Sequence, residues 1–217
     1  MKDCYIDKSM AKAALANMSS FYCELKDLYS RYNIPLEADT GRRNMLMSSL
    51  QEKMFASEIK TKYPMTTSDG KTGEPDIIIP ELNRELECKL TSKNRSGSWQ
   101  LQTDWNTLKS KGKLDYLYVL ASRDFTEFAV LFFNDLTCDD FHPPAPGSKG
   151  KSRMRLGIAL KKCTVVCGSV EDKSKVLLKK AETALTGATT PLQVQAAVKR
   201  VHHWRNTTRV SFGLEAA

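Results

Sequence analysis

Apolar residues recur at alternating three- and four-residue spacing at Leu15, Met18, Tyr22, Leu25, Tyr29 and Tyr32, with Ala14, Phe21 and Leu28 beside them. A stripe of that period predicts one long amphipathic helix, ending before Asn33-Ile34-Pro35. Such a helix either covers a sheet or gives part of its stripe to a second subunit. A second helix-like stretch runs from Arg43 to Lys60. The period then changes. Ile77, Ile78 and Ile79 form a β-branched run that reads as a buried strand, closed by Pro80, which cannot continue a central ladder. Residues Pro80 to Arg84 read as a connection, and Glu85 to Leu90 alternates polar and apolar like a strand. Trp99 to Lys109 predicts a helix, and Tyr116 to Ala121 and Phe128 to Phe133 two buried strands. Met154 to Lys162 reads as a strand, Val170 to Leu185 as an amphipathic helix stopped by Gly187, and Pro191 to Arg205 as a helix opened by proline. The expected class is α/β, a mixed central β-sheet flanked by α-helices with helical elaborations at both ends.

The middle of this pattern carries chemistry. An antiparallel hairpin centred on Leu82 sets Asp76 opposite Cys88, between Glu87 and Lys89, and the strand period of two puts Glu85, Glu87 and Lys89 on one face. Unneutralised, such a cluster repels itself, and a bound cation is the simplest reason to keep it. A hard divalent ion such as Mg²⁺ needs one or two carboxylates and keeps several waters. It shields charge on a phosphate and generates hydroxide from bound water, and a lysine beside it orients that water. The competing reading is a solvated edge strand, since Glu-x-Lys is common in a chain that is 27% charged.

Pro75-Asp76 followed by Glu87-x-Lys89 resembles the signature of the PD-(D/E)xK nuclease superfamily, which includes most type II restriction endonucleases. The order of helix, motif-bearing hairpin, helix and further strands is similar from about Arg42 to Phe133. The resemblance implies a restriction-endonuclease-like fold and Mg²⁺-dependent hydrolysis of double-stranded DNA, with Mn²⁺ expected to substitute. It implies metal ligation by Asp76 and Glu87, with a further acidic ligand from the preceding helix, and a catalytic role for Lys89. Glu52, on the polar side near the middle of that helix, is the choice for the third ligand, with Glu58 the alternative.

Composition sharpens the partner. Thirty-three basic against twenty-five acidic residues give a net charge of +8. That excess suits a polyanion, DNA or RNA, or equally a membrane surface. Lys149, Lys151, Arg153 and Arg155 follow a Gly- and Pro-rich loop, Lys161 and Lys162 come soon after, and Lys199, Arg200, Arg205 and Arg209 crowd the C-terminus. Phosphate contacts of this kind make binding salt-dependent. Gln100 and Gln102, just past the motif, are further candidates for DNA contact. No stretch approaches the roughly 20 apolar residues of a membrane span. The first twenty residues lack a secretory pattern, so the expected compartment is the cytoplasm, with six reduced cysteines packed in the core.

Ala145-x-x-x-x-Gly150-Lys151-Ser152 fits a relaxed nucleotide-binding pattern, but a phosphate-cradling loop follows a strand and opens a helix. What surrounds this one argues against ATP and leaves a basic loop gripping DNA, or a plain surface loop. One nuclease domain is expected over 1–217: an N-terminal helical element (1–35), a catalytic core (42–133), and a basic loop with C-terminal helices (134–217). The expected activity is a type II restriction endonuclease working as a homodimer. The rivals are a structure-specific nuclease of the same fold and a DNA-binding protein without catalysis.

Overall fold

Asp7 opens the first helix: its Oδ1 accepts from the amides of Ser9 and Met10, and α1 runs over Lys8–Arg31. Asp39 caps the second, α2 over Thr40–Lys62, by accepting from the Arg42 amide. The structure is a computed structural model, described here for residues 4–69, 73–92, 99–148, 150–168 and 173–208. The chain divides into two compact units, Met1–Gly168 and Ser169–Ala217.

The first unit is built on a five-stranded mixed sheet. Its strands are β1 (Ile77–Ile79), β2 (Arg84–Ser92), β4 (Leu114–Ala121), β5 (Phe128–Leu136) and β7 (Thr164–Cys167), in the spatial order β1-β2-β4-β5-β7. Only β2 and β4 run parallel; the other neighbours are antiparallel. Two short strands, β3 (Gln102–Asp104) and β6 (Lys151–Arg153), pair separately as a ribbon. Between them lies α3 (Trp105–Lys111), and α4 (Leu156–Lys162) follows β6.

Every residue of β4 is buried, as expected of a strand covered on both faces. One face carries Ile77, Ile79, Leu86, Cys88, Leu117, Val119, Val130 and Phe132 against Met10, Ala14, Met18, Met47, Phe55 and Ile59 of α1 and α2. Each large apolar side chain buried there contributes roughly 1.5–3 kcal/mol. The alternate residues Tyr116, Tyr118, Leu131 and Phe133 fill the other face, where Phe141 and the ribbon lie.

Three expectations about the path of the chain are corrected. The hairpin register is one residue off: Ile77 pairs with Leu86 and Ile79 with Arg84. Pro80–Leu82 form a 3₁₀ turn and Asn83 closes it in the left-handed region at φ 51°, so the connection has an even number of residues. Trp99 to Lys109 is not one helix, because Asp104 accepts from the amides of Asn106 and Thr107 and starts α3 there, leaving Gln102 in a strand. The segment from Met154 holds a helix, not a strand, since only Lys151–Arg153 find a partner strand. The apolar stripe of α1 is buried at Met10, Ala14, Met18 and Tyr22, but Phe21, Leu28 and Tyr32 are exposed.

None of the six cysteines is in a disulfide, and Cys88 and Cys167 are buried while Cys23 is exposed, against the core packing expected of all six. Among the described residues no helix is long and apolar enough to cross a membrane. The second unit holds α5 (Lys173–Thr186) and α6 (Pro191–Thr208), which pack on each other.

Candidate active site

The one-residue change of register decides which face Asp76 uses, because a slip of one residue flips a side chain through the sheet. With Ile77 opposite Leu86, the register carried one step further sets Asp76 opposite Glu87 instead of Cys88. Both carboxylates then belong to the face that also carries Lys89. Asp76 is tied to β2 directly: its Oδ2 accepts a 2.7 Å hydrogen bond from the Cys88 amide. Lys89 Nζ donates to Glu87 Oε1 and forms an ion pair with it.

The other oxygen of that carboxylate is unusual. Glu87 is 6% exposed, and its Oε2 is buried without a hydrogen-bond partner. A buried carboxylate oxygen left unpaired is costly, and a water or a cation would satisfy it. Burial pushes the Glu87 carboxyl above its usual range, and Asp76 adds to this while Lys89 opposes it. Asp76 is raised by burial against the pull of Lys89 and of the Cys88 amide. Glu52 on α2 is also raised, first by burial and then by Glu87, with Lys89 opposing. Burial alone would lower the Lys89 ammonium, but Glu87 and Asp76 together raise it.

Three carboxylates against one ammonium leave an excess of negative charge in a desolvated corner. That donor set fits a hard divalent cation, which would restore all three carboxyls to ordinary acidity. Asp76 and Glu87 are the two side chains on this face that could hold it. Among the described residues no three Asp, Glu, His or Cys side chains converge into a closed cage, so Glu52 stands near without completing one. Glu52 senses this charge, interacting with Asp76, Glu87 and Lys89. Glu85 is drawn away from the cluster by Lys111, which bonds it at 3.3 Å and Glu74 at 2.8 Å.

Beside Lys89 opens a cleft of about 430 Å³, lined among others by Ser92, Gln100, Gln102, Asp104 and Lys151. The β3–β6 ribbon forms one wall, anchored where Tyr118 donates to the Gln102 carbonyl at 3.0 Å and Thr103 bonds Tyr116 at 2.5 Å. Two residues of α2 support the floor: Gln51 Nε2 reaches the Leu117 and Lys89 carbonyls at 3.4 and 3.5 Å, and Asn44 donates to Ser92 at 3.1 Å. On β6 the strand period exposes Lys151 and Arg153, with Arg155 beyond them, and buries Ser152 and Met154. Arg155 is steadied by donating to the Asp139 carbonyl at 3.0 Å. Lys149 and Arg209 lie outside the described residues. Lys162 is engaged with Asp140 at 2.8 Å, whereas Lys199 and Arg200 are exposed on α6.

Reasoning from sequence missed Asp104, which both caps α3 and lines the cleft. The signal was present as an acidic residue two positions before Asn106, hidden by starting the helix at Trp99. Ser152 lies inside β6 and not at the start of a helix, so the glycine loop lacks the setting of a phosphate cradle. Compared with known proteins, the chain matches no family model and no curated protein.

Proposed function

We propose that this chain is a Mg²⁺-dependent endonuclease that hydrolyses phosphodiester bonds of double-stranded DNA at specific sequences, a type II restriction enzyme with a restriction-endonuclease-like fold. The observation that carries the reading is the Asp76–Glu87–Lys89 corner, with the unpaired Glu87 Oε2 inside it and a polar, lysine-edged cleft beside it. Asp76 and Glu87 would hold the metal, with Glu52 contributing negative charge from α2. When bound there, it would supply a Lewis acid and an activated water. Lys89, ion-paired with Glu87, would orient or activate that water and neutralise charge on the phosphate. Lys151, Arg153 and Arg155 contact phosphates and set the register, while Gln100 and Gln102 face base edges from the cleft wall.

Cutting both strands of a symmetric site is most simply done by a two-fold homodimer with one corner per strand. A plain duplex library and a four-way junction, each incubated with protein and Mg²⁺, test the reading. Cleavage of the duplex at one short motif supports it. Preference for the junction would make the chain a structure-specific nuclease, and binding without cleavage of either would make it a DNA-binding protein.

A further inference from the structure

At the other end of β2 from the metal corner lies a second hollow, of about 400 Å³, lined by Cys4, Tyr5, Lys62, Tyr63, Leu82 and Arg84. Arg84 precedes Lys89 by five residues, about 17 Å along an extended strand. Three separate segments build this hollow: the chain before α1, the end of α2 and the hairpin turn.

Its charges are not closed within the protein. Arg84 Nη1 meets Asp135 at 2.9 Å and Asp115 at 3.6 Å, but Nε and Nη2 have no hydrogen-bond partner among the described residues. Asp135 is shared with Lys113, and Asp115 with the Tyr5 hydroxyl and the Asp135 amide. Both acids thus have partners besides Arg84. Lys62 is exposed, has no ion pair among the described residues, and sits 5.5 Å from the centroid of the Tyr63 ring. Tyr63 is half-buried and Tyr5 almost wholly so, and these two rings line the hollow with Lys62, which has no ion pair among the described residues, and Arg84, whose Nη1 is engaged by Asp135 and Asp115.

We infer that this hollow binds a phosphorylated planar compound, a nucleoside monophosphate, with its phosphate between Lys62 and Arg84 and its base against Tyr63. A guanidinium edge recognises phosphate oxygens in pairs, and a tyrosine face stacks on a base whatever its identity. The volume lies within the range of small-molecule sites. The site is independent of the nuclease reading, since neither Asp76, Glu87 nor Lys89 borders it.

Calorimetric titration of the full chain with adenosine 5′-monophosphate, in EDTA to exclude divalent ions, tests this. Saturable binding at least tenfold tighter than that of inorganic phosphate or adenosine is expected. Lys62→Glu weakens it at least tenfold, Arg84→Lys weakens it less, and Tyr63→Leu brings the monophosphate down to the affinity of inorganic phosphate. Lys89→Ala leaves it unchanged, and circular dichroism confirms that each variant is folded. Equal affinity for phosphate and the monophosphate, unchanged binding in Lys62→Glu, or loss in Lys89→Ala would overturn the inference. The last result would move the ligand to the cleft.

Discussion

The Asp76 carboxylate accepts a hydrogen bond from the amide of Cys88, the residue that separates Glu87 from Lys89. A residue just outside the first strand is thereby clamped to the second, and its acid is held beside theirs. The bond costs little and fixes the geometry on which the proposed chemistry depends.

Clamped acids that are raised by burial make the site a source of instability. Between the unfolded carboxyl range and the raised folded one, the folded chain holds more protons than the unfolded chain, so stability falls as pH rises through that window. Asp76→Asn is expected to stabilise the metal-free protein near neutral pH and to flatten this fall. Thermal melts from pH 4 to 8 in EDTA, wild type against variant, measure it. Each kcal/mol corresponds to about 2–4 °C for a chain of this size.

Addition of Mg²⁺ or Mn²⁺ should raise the melting temperature of the wild type and not that of Asp76→Asn or Glu87→Gln. Stabilisation follows the logarithm of the ion concentration over its Kd, about 2.7 kcal/mol at a hundredfold excess. Equal shifts in all three proteins would place the ion elsewhere.

At the far end of β2, Asp115 is 2% exposed and accepts from the Tyr5 hydroxyl at 3.1 Å and the Asp135 amide at 2.8 Å. Asp115→Ala leaves Arg84 and these donors short of a partner and should cost about 3 kcal/mol. Tyr5→Phe should cost about 1 kcal/mol. Urea unfolding of the two single variants and the double variant reads both values and their coupling.

Gly168 closes β7 at φ 79°, where an added Cβ would lie 2.3 Å from the Phe128 carbonyl oxygen and 2.7 Å from Ala129 Cα. Neither backbone atom can yield, and an L side chain is strained at that φ. Gly168→Ala is expected to lose about 3 kcal/mol or more in the same assay.

Much of this was legible from the chain. The triple isoleucine and the apolar runs of β4 and β5 read as buried strands, the stretch from Arg43 read as a helix, and each became its expected element. So did the nearness of Asp76, Glu87 and Lys89, since a tight connection brings its flanks together wherever it turns. The register was not legible, because it turns on one left-handed residue, Asn83, that nothing in the alternation of Glu85 to Leu90 reports. The β3–β6 ribbon was hidden for a different reason. Its strands are three residues each, lie about fifty residues apart and are held by tyrosine hydroxyls from the sheet below. Such long-range pairing leaves no local period, and it is what brings Gln102 and Lys151 to one cleft.

Incubation of supercoiled plasmid with the protein, with and without Mg²⁺, tests the central claim most directly when Lys89→Ala is run beside the wild type. The account predicts discrete linear fragments from the wild type with Mg²⁺, none without it, and a loss of at least about 10² in rate for Lys89→Ala with DNA binding retained. Intact plasmid with every divalent ion, or cleavage undiminished in Lys89→Ala, would contradict it.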